Sequence, residues 1–299
     1  MKGGPAGLAA DRGEFWERFN SLPKNPKMKS MTSIFLIAIT VYLVAVALMY
    51  FFQRSFLYHP SSGLMEPGHF GESRMSVVKV VTDDGLPLIS WYRKAAEGKP
   101  TILYFPGNAG HIGHRIDKIQ GYLEAGYGVF LLSYRGFGSN PGFPTEEGLY
   151  LDGKAAMDYL KSENVPYFRL VLYGESLGTG IAVELAQDRG IAALILEAPF
   201  TSINDVAQHH FWFFPARYMI KDSYNSLSKI NRVNAPILFI HGELDRTIPV
   251  EFGRRLFMAA PKQKHMILVP DAGHNNLYDF GVDEKVIDFI DRAANESGS

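Results

Sequence analysis

At 299 residues the chain is long enough for one large or two modest domains with a sizeable core, which excludes disorder throughout. Thirty Lys and Arg against 31 Asp and Glu leave a formal charge of −1, so no global basic excess exists to follow a phosphate backbone, and nucleic acid is not an expected partner. The absence of cysteine removes disulfide scaffolds, thiolate zinc and iron–sulfur sites, cysteine nucleophiles and S-palmitoylation, and leaves the redox compartment open.

Residues 31–52 form an uncharged, largely apolar run that as a helix would measure about 33 Å, against a hydrocarbon core of about 30 Å. Gln53, Arg54, Phe56 and Tyr58 follow where a signal peptide would have small residues for cleavage, so the run reads as an uncleaved anchor. A buried core helix is the alternative, disfavoured because such a helix would show polar residues at 3.6 spacing. Arg12, Arg18, Lys24, Lys27 and Lys29 precede the run and only Arg54 closely follows it. The positive-inside rule then predicts a cytoplasmic tail over 1–30 and a domain over 53–299 on the non-cytoplasmic side, periplasmic in a bacterium. The tail reads as mobile, with a short interfacial helix through Phe15, Trp16, Phe19 and Leu22 as the alternative.

Beyond the anchor, short β-rich runs alternate with helical stretches, the pattern of an α/β fold with a mainly parallel sheet. Strands are predicted over 77–81, 88–92, 101–105, 129–134, 170–173, 193–196, 237–240 and 266–269, and helices over 111–124, 146–161, 177–187, 250–259 and 283–293. Asp83, Asp84 and Gly85 favour a hairpin between the first two strands, so the sheet is expected to begin antiparallel.

Chemistry concentrates where the strand run ending at Tyr173 meets Gly174-Glu-Ser176-Leu-Gly178 and then a helical run. A G-x-S-x-G between strand and helix is a nucleophile elbow, which forces the serine into a strained turn while the glycines let strand and helix approach. A serine hydroxyl needs a histidine base and an acid to orient it. Asp245 follows the strand 237–240 and His274 follows the strand 266–269, giving the order Ser176, Asp245, His274, each beyond the C-terminal end of a strand. Glu243 and Asp271 are the rival acids. His241 and His265 sit within or beside strands and read as structural, and His111, His114, His209 and His210 read as solvated or cap-packing residues and not as metal ligands. The oxyanion of an acyl-transfer intermediate needs two N–H donors; Leu177 is expected to supply one, and Asn108, with Ala109 as neighbour, the other, from the Gly-rich turn after the third strand.

From about residue 52 to 294 the chain resembles the α/β-hydrolase superfamily, and within it the membrane-anchored abhydrolase-domain branch that includes abhydrolase domain-containing protein thirteen and the seventeen-type protein depalmitoylases. The matching pieces are Phe52-Gln-Arg-Ser-Phe-Leu-Tyr-His-Pro60, Pro106-Gly-Asn-Ala-Gly110, Ser133-Tyr-Arg-Gly-Phe-Gly-Ser139, the elbow, Glu197-Ala-Pro-Phe200, His241-Gly-Glu-Leu-Asp245 and Gly273-His-Asn275. The resemblance implies a mostly parallel eight-stranded sheet flanked by helices, with a Ser-His-Asp triad. Pro106 departs from the histidine that commonly opens the oxyanion loop, and no N-terminal cysteine cluster is present, which weighs against a depalmitoylase.

The expectation is thus a single-pass membrane serine hydrolase acting on acyl-ester, thioester or lipid-like substrates, anchored through residues 31–52 and requiring no cofactor or metal. Residues 200–235 form an insertion long enough for a small cap, whose Phe211, Trp212, Phe213 and Phe214 either receive an acyl group or pack the cap on the sheet. Amide hydrolysis by the same triad and a catalytically silent, membrane-tethered domain are the alternatives.

Overall fold

The computed structural model describes residues 26–63 and 66–296. The chain divides into two compact units, residues 1–51 and 52–299. The first contributes most of helix α1 (Pro26–Leu57), which starts five residues before the uncharged run and continues five residues beyond it. Proline at its first position costs nothing, because that N–H has no partner inside a helix. Within Ser30–Leu57 an 18-residue stretch has mean hydropathy 2.6, and its side chains are exposed, Ile34 at 64% and Phe35 at 65%. Thr40 Oγ1 donates back to the Leu36 carbonyl at 2.8 Å, satisfying the hydroxyl within the helix. The chain therefore carries an N-terminal helix long and apolar enough to cross a membrane. Arg12, Arg18, Lys24 and the expected interfacial aromatics lie outside the described residues.

The second unit is built on eight strands: β1 (Ser76–Val81), β2 (Pro87–Arg93), β3 (Thr101–Phe105), β4 (Gly128–Leu131), β5 (Leu170–Glu175), β6 (Ala193–Glu197), β7 (Ile237–Gly242) and β8 (Lys264–Val269). Their order across the sheet is β8-β7-β6-β5-β3-β4-β2-β1. The β1–β2 hairpin turns at Gly85, φ +85°, and β2 also pairs antiparallel with β4; the other pairs are parallel. After β3 the chain crosses to β4 on one side and then returns to place β5 on the other. Strand order reverses at β3, which opens a crevice at the C-terminal ends of β3 and β5, where α/β folds carry their sites.

Alternate residues of the central strands face opposite layers. Leu103, Phe105, Leu172, Leu194 and Phe239 pack with α3 (Glu146–Ser162), α4 (Leu177–Ala186) and α7 (Val250–Ala259), while Ile102, Tyr104, Val171, Ile195 and Ile240 pack with α2 (Ile116–Glu124) and α8 (Val282–Glu296). Burial on both faces is why these strands read as continuous apolar runs. Between β6 and β7 lie the short helices α5 (Ile203–His210) and α6 (Ala216–Met219). The strand expected over 129–134 ends at Leu131. Beyond it the chain peels away from the sheet; Ser133 N donates to Ser90 Oγ at 3.1 Å and Asn140 Nδ2 to the Ser133 carbonyl at 2.9 Å, so Leu132 and Tyr134 are buried in a loop.

Candidate active site

Ser176 joins β5 to α4 with φ +51° and ψ −115°, a left-handed strain for a residue with a Cβ. The flanking glycines explain how the turn closes. A Cβ on Gly174 would lie 2.6 Å from the Gly178 carbonyl oxygen, and one on Gly178 would lie 2.0 Å from that of Phe105. Ser176 N donates to the Glu197 carbonyl at 2.8 Å, and the Ser176 carbonyl accepts from Thr179 N and Oγ1 at 2.9 and 2.6 Å. The strained serine is thereby held on both sides.

His274 Nε2 lies 3.0 Å from Ser176 Oγ, and its Nδ1 donates to Asp245 Oδ2 at 2.7 Å. Asp245 is buried; its Oδ1 accepts from Thr247 N and Ile248 N at 2.9 and 2.8 Å. Burial alone would raise its pKa, but the bonds from His241, His274 and Ile248 N outweigh burial and hold the carboxyl well below the usual carboxylate range. Of the rival acids, Glu243 turns outward to Arg254 Nη2 at 2.8 Å and Asp271 is exposed.

The acid and histidine loops are pressed together. Leu244 N donates to the Ala272 carbonyl at 2.9 Å, and a Cβ on Gly242 would meet the carbonyl oxygens of Ala272 and Gly273 at 2.3 and 2.6 Å. Asn276 Oδ1 accepts from Gly273 N at 2.8 Å and braces the histidine loop from the other side.

Leu177 is the first residue of α4, so its N–H lies at the positive end of the helix dipole beside Ser176. The loop after β3 comes close, a Cβ on Gly107 lying 3.6 Å from that of Ser176. Asn108 in that loop donates from Nδ2 to the Leu57 carbonyl at 2.7 Å, and its own carbonyl accepts from His59 N at 2.9 Å. Pro106, at the position of the usual histidine, accepts from the Tyr134 hydroxyl through its carbonyl at 2.9 Å, which supports the loop without an imidazole.

From sequence His241 reads as structural, but its contact with the acid escaped that reading, and so did a charged cluster under the elbow. His241, within β7, is wholly buried; its Nε2 donates to the Ile248 carbonyl at 2.8 Å and lies 3.4 Å from Asp245 Oδ2. Under the elbow, Glu175 is bound by Arg115 Nε, Tyr104 Oη and Lys118 Nζ at 2.8, 3.0 and 3.1 Å. Lys118 also reaches Glu197 at 2.6 Å, which Tyr173 Oη binds at 2.7 Å, and the chain of hydroxyls continues through Tyr278 to Tyr122. Burial pushes the Tyr104, Tyr173 and Tyr278 hydroxyls far above the usual phenol range, so they stay neutral donors. Burial also works against ionised Glu175, but Lys118 and Arg115 outweigh it and lower its pKa. The signal available in sequence was two glutamates ending otherwise apolar strands.

The other histidines have local partners. His111 Nδ1 accepts from Gly113 N at 3.1 Å, His209 packs edge-on to Phe252, and His210 Nε2 bonds the Thr247 carbonyl at 2.9 Å. Among the described residues no three His, Cys, Asp or Glu side chains converge as metal ligands. Of the cap aromatics, Trp212 is 78% and Phe213 52% exposed.

The serine aminopeptidase (S33) family matches residues 96–221. An uncharacterized protein of Mycobacterium tuberculosis is 35% identical, over 83% of this chain and 90% of its own length. The alpha/beta hydrolase domain-containing protein WAV2 of Arabidopsis thaliana is 29% identical over 74% of this chain and 79% of its own. Among solved structures, the esterase Pf2001 of Pyrococcus furiosus superposes with a TM-score of 0.65 at 20% identity, covering 79% of this chain and 98% of that one. A doubly wound sheet with the strand order found here, a serine on a strained strand-to-helix turn and these relatives lead to one assignment: the chain is a hydrolase of the α/β-hydrolase superfamily, in its abhydrolase-domain branch.

Proposed function

We propose that the chain is a membrane-anchored serine hydrolase that cleaves ester or thioester bonds of acyl, lipid-like substrates. The observation that carries this reading is the unbroken line Ser176 Oγ, His274, Asp245, at 3.0 and 2.7 Å, with the serine on its strained turn. Ser176 Oγ attacks the substrate carbonyl carbon while His274 Nε2 takes its proton. Asp245 fixes the tautomer through Nδ1 and stabilises the imidazolium that forms. The carbonyl oxygen, now an oxyanion, is met by the backbone N–H groups of Leu177 and Asn108. Collapse expels the alcohol or thiol, which receives the proton from Nε2. Water, deprotonated by the same nitrogen, then hydrolyses the acyl-serine.

In this reading α1 is the anchor, and the basic residues preceding its apolar run support a cytoplasmic N-terminus with the hydrolase domain on the opposite side. Labelling by a fluorophosphonate tests the chemistry. Membranes carrying the full chain should react at Ser176, and Ser176→Ala should abolish both labelling and turnover; labelling that survives in Ser176→Ala overturns the assignment. The name of the matched family favours amide hydrolysis as a second reading. Paired assays on p-nitrophenyl esters and aminoacyl p-nitroanilides separate the two, esters being expected to react faster.

A further inference from the structure

Four aromatic rings of the cap project where a soluble domain would hide them. Phe211 is 41%, Trp212 78%, Phe213 52% and Tyr218 87% exposed. The turn that presents them is braced: Gln208 Nε2 donates to the carbonyls of Trp212 and Phe214 at 3.3 and 3.1 Å, and Gln208 Oε1 accepts from Arg217 N at 3.1 Å. Such exposure does not suit the wall of an enclosed acyl pocket, and Trp and Tyr are the residues enriched at membrane–water interfaces.

The position of this turn is set by the end of α1. Its apolar run stops at Phe52, and the first polar side chains beyond it bind the cap directly. Gln53 Nε2 donates to the Met219 carbonyl at 3.2 Å, Gln53 Oε1 accepts from Lys221 N at 2.7 Å, and Arg54 holds both oxygens of Asp222 at 2.8 and 3.2 Å. The residues that mark the membrane boundary along the helix are thus hydrogen-bonded to 219–222. Only α6, about 6 Å long, separates Met219 from the aromatic turn. That distance is on the scale of one headgroup layer, roughly 5–8 Å. At its other end the cap meets the site, since His210 bonds the Thr247 carbonyl and Thr247 N donates to Asp245.

We propose that residues 211–214 and Tyr218 form an interfacial surface that inserts into the headgroup layer of the bilayer crossed by α1. This rests on α1 being a membrane anchor. Its occupant is the lipid surface. The cap is then a second point of membrane contact, and acyl substrates reach Ser176 from the leaflet and not from bulk water.

Tryptophan fluorescence of the full chain in phosphatidylcholine vesicles tests this. The chain has three tryptophans, Trp16, Trp91 and Trp212, and Trp91 is 2% exposed. In a Trp16→Phe background, lipids brominated near the carboxyl end of the acyl chains should quench about half of the Trp212 emission, as expected for rings buried 5–10 Å into the interface. The bromolipid-sensitive part should vanish on Trp212→Phe and return when Tyr218→Trp is added. Phe168→Trp is the control, because Phe168 is 57% exposed and sits just before β5, at the sheet edge opposite the cap. In the Trp16→Phe and Trp212→Phe background it should respond to aqueous iodide and not to bromolipid. Trp212 emission quenched by iodide and untouched by bromolipid overturns the proposal, and so does emission shielded from both, which would signal a protein partner or bound acyl chain. The readout does not use Ser176: Ser176→Ala protein must show the same quenching, so failure of the interfacial surface and failure of the serine hydrolase reading are distinguishable.

Discussion

Asn108, in the loop beside the serine, donates its side-chain amide to the carbonyl of Leu57, the last residue of the apolar helix, at 2.7 Å. His59 and Pro60 then pair in parallel with Ala109 and Gly110, so the segment leaving the helix is a structural support of the loop expected to hold the oxyanion. A protein truncated to residues 53–299 should be soluble and active. Truncation to 61–299 should lower kcat on p-nitrophenyl acetate by at least about tenfold, because a misplaced oxyanion donor costs about 10²–10³ at its limit. Equal activity of the two truncations would separate this segment from the loop's geometry.

Asp245→Asn should reduce kcat by about three to four orders of magnitude with little change in KM, since the aspartate acts on an imidazolium present only in the transition state. Glu243→Gln should change either constant by less than about twofold, because Glu243 faces Arg254 at the surface. The reverse outcome would move the acid to Glu243.

His241→Ala removes a buried ring whose Nε2 satisfies the Ile248 carbonyl and borders Asp245. The expected loss is about 2–4 kcal/mol of stability from cavity and unsatisfied carbonyl together. A fall in kcat without change in KM should accompany it, because the Asp245 carboxylate loses one of its fixed neighbours. Urea unfolding and steady-state kinetics on the same preparation check both.

Acid should destabilise the domain partly through Asp245. Its folded-state pKa lies below the unfolded value of about 3.9, so the folded state binds this proton more weakly. The resulting stabilisation is fully present above about pH 5 and is lost as pH falls through the unfolded value and below it. The urea midpoint of Asp245→Asn should therefore move less than wild type between about pH 5 and pH 3. Parallel acid limbs would assign the sensitivity to other carboxylates.

Glu175→Gln leaves Arg115 and Lys118 buried with less compensating charge, at an expected cost of about 3–5 kcal/mol. A melting curve of the 53–299 domain reads this directly.

The central strands were legible because they are apolar runs between polar, glycine or proline residues, and the order Ser176, Asp245, His274 was legible because each follows such a run. The same rule overran at 132–134, where Leu132 and Tyr134 stay apolar in a buried loop; hydrophobicity reports burial, and only hydrogen-bond partners distinguish a strand from a buried turn. The helix expected over 111–124 opens as a 3₁₀ turn capped by His111, a choice made by side-chain capping and not by periodicity. What could not be read were pairings across long stretches of chain: Asn108 with Leu57, Lys118 with Glu175 and Glu197, Gln53 with Met219. No local pattern encodes them, because their partners become neighbours only after the sheet has assembled.

Gly242 has a further consequence. With carbonyl oxygens at 2.3 and 2.6 Å from where a methyl would sit, any other residue there must push the histidine loop away from the acid loop. The sheet, the core and even the serine on its turn would survive that change, yet the line from aspartate to serine would be broken. One substitution thus separates a working hydrolase from an inert scaffold of the same shape. Position 242 becomes a test by which descendants of this fold can be sorted: those that replaced this glycine should be bystanders that still look like enzymes.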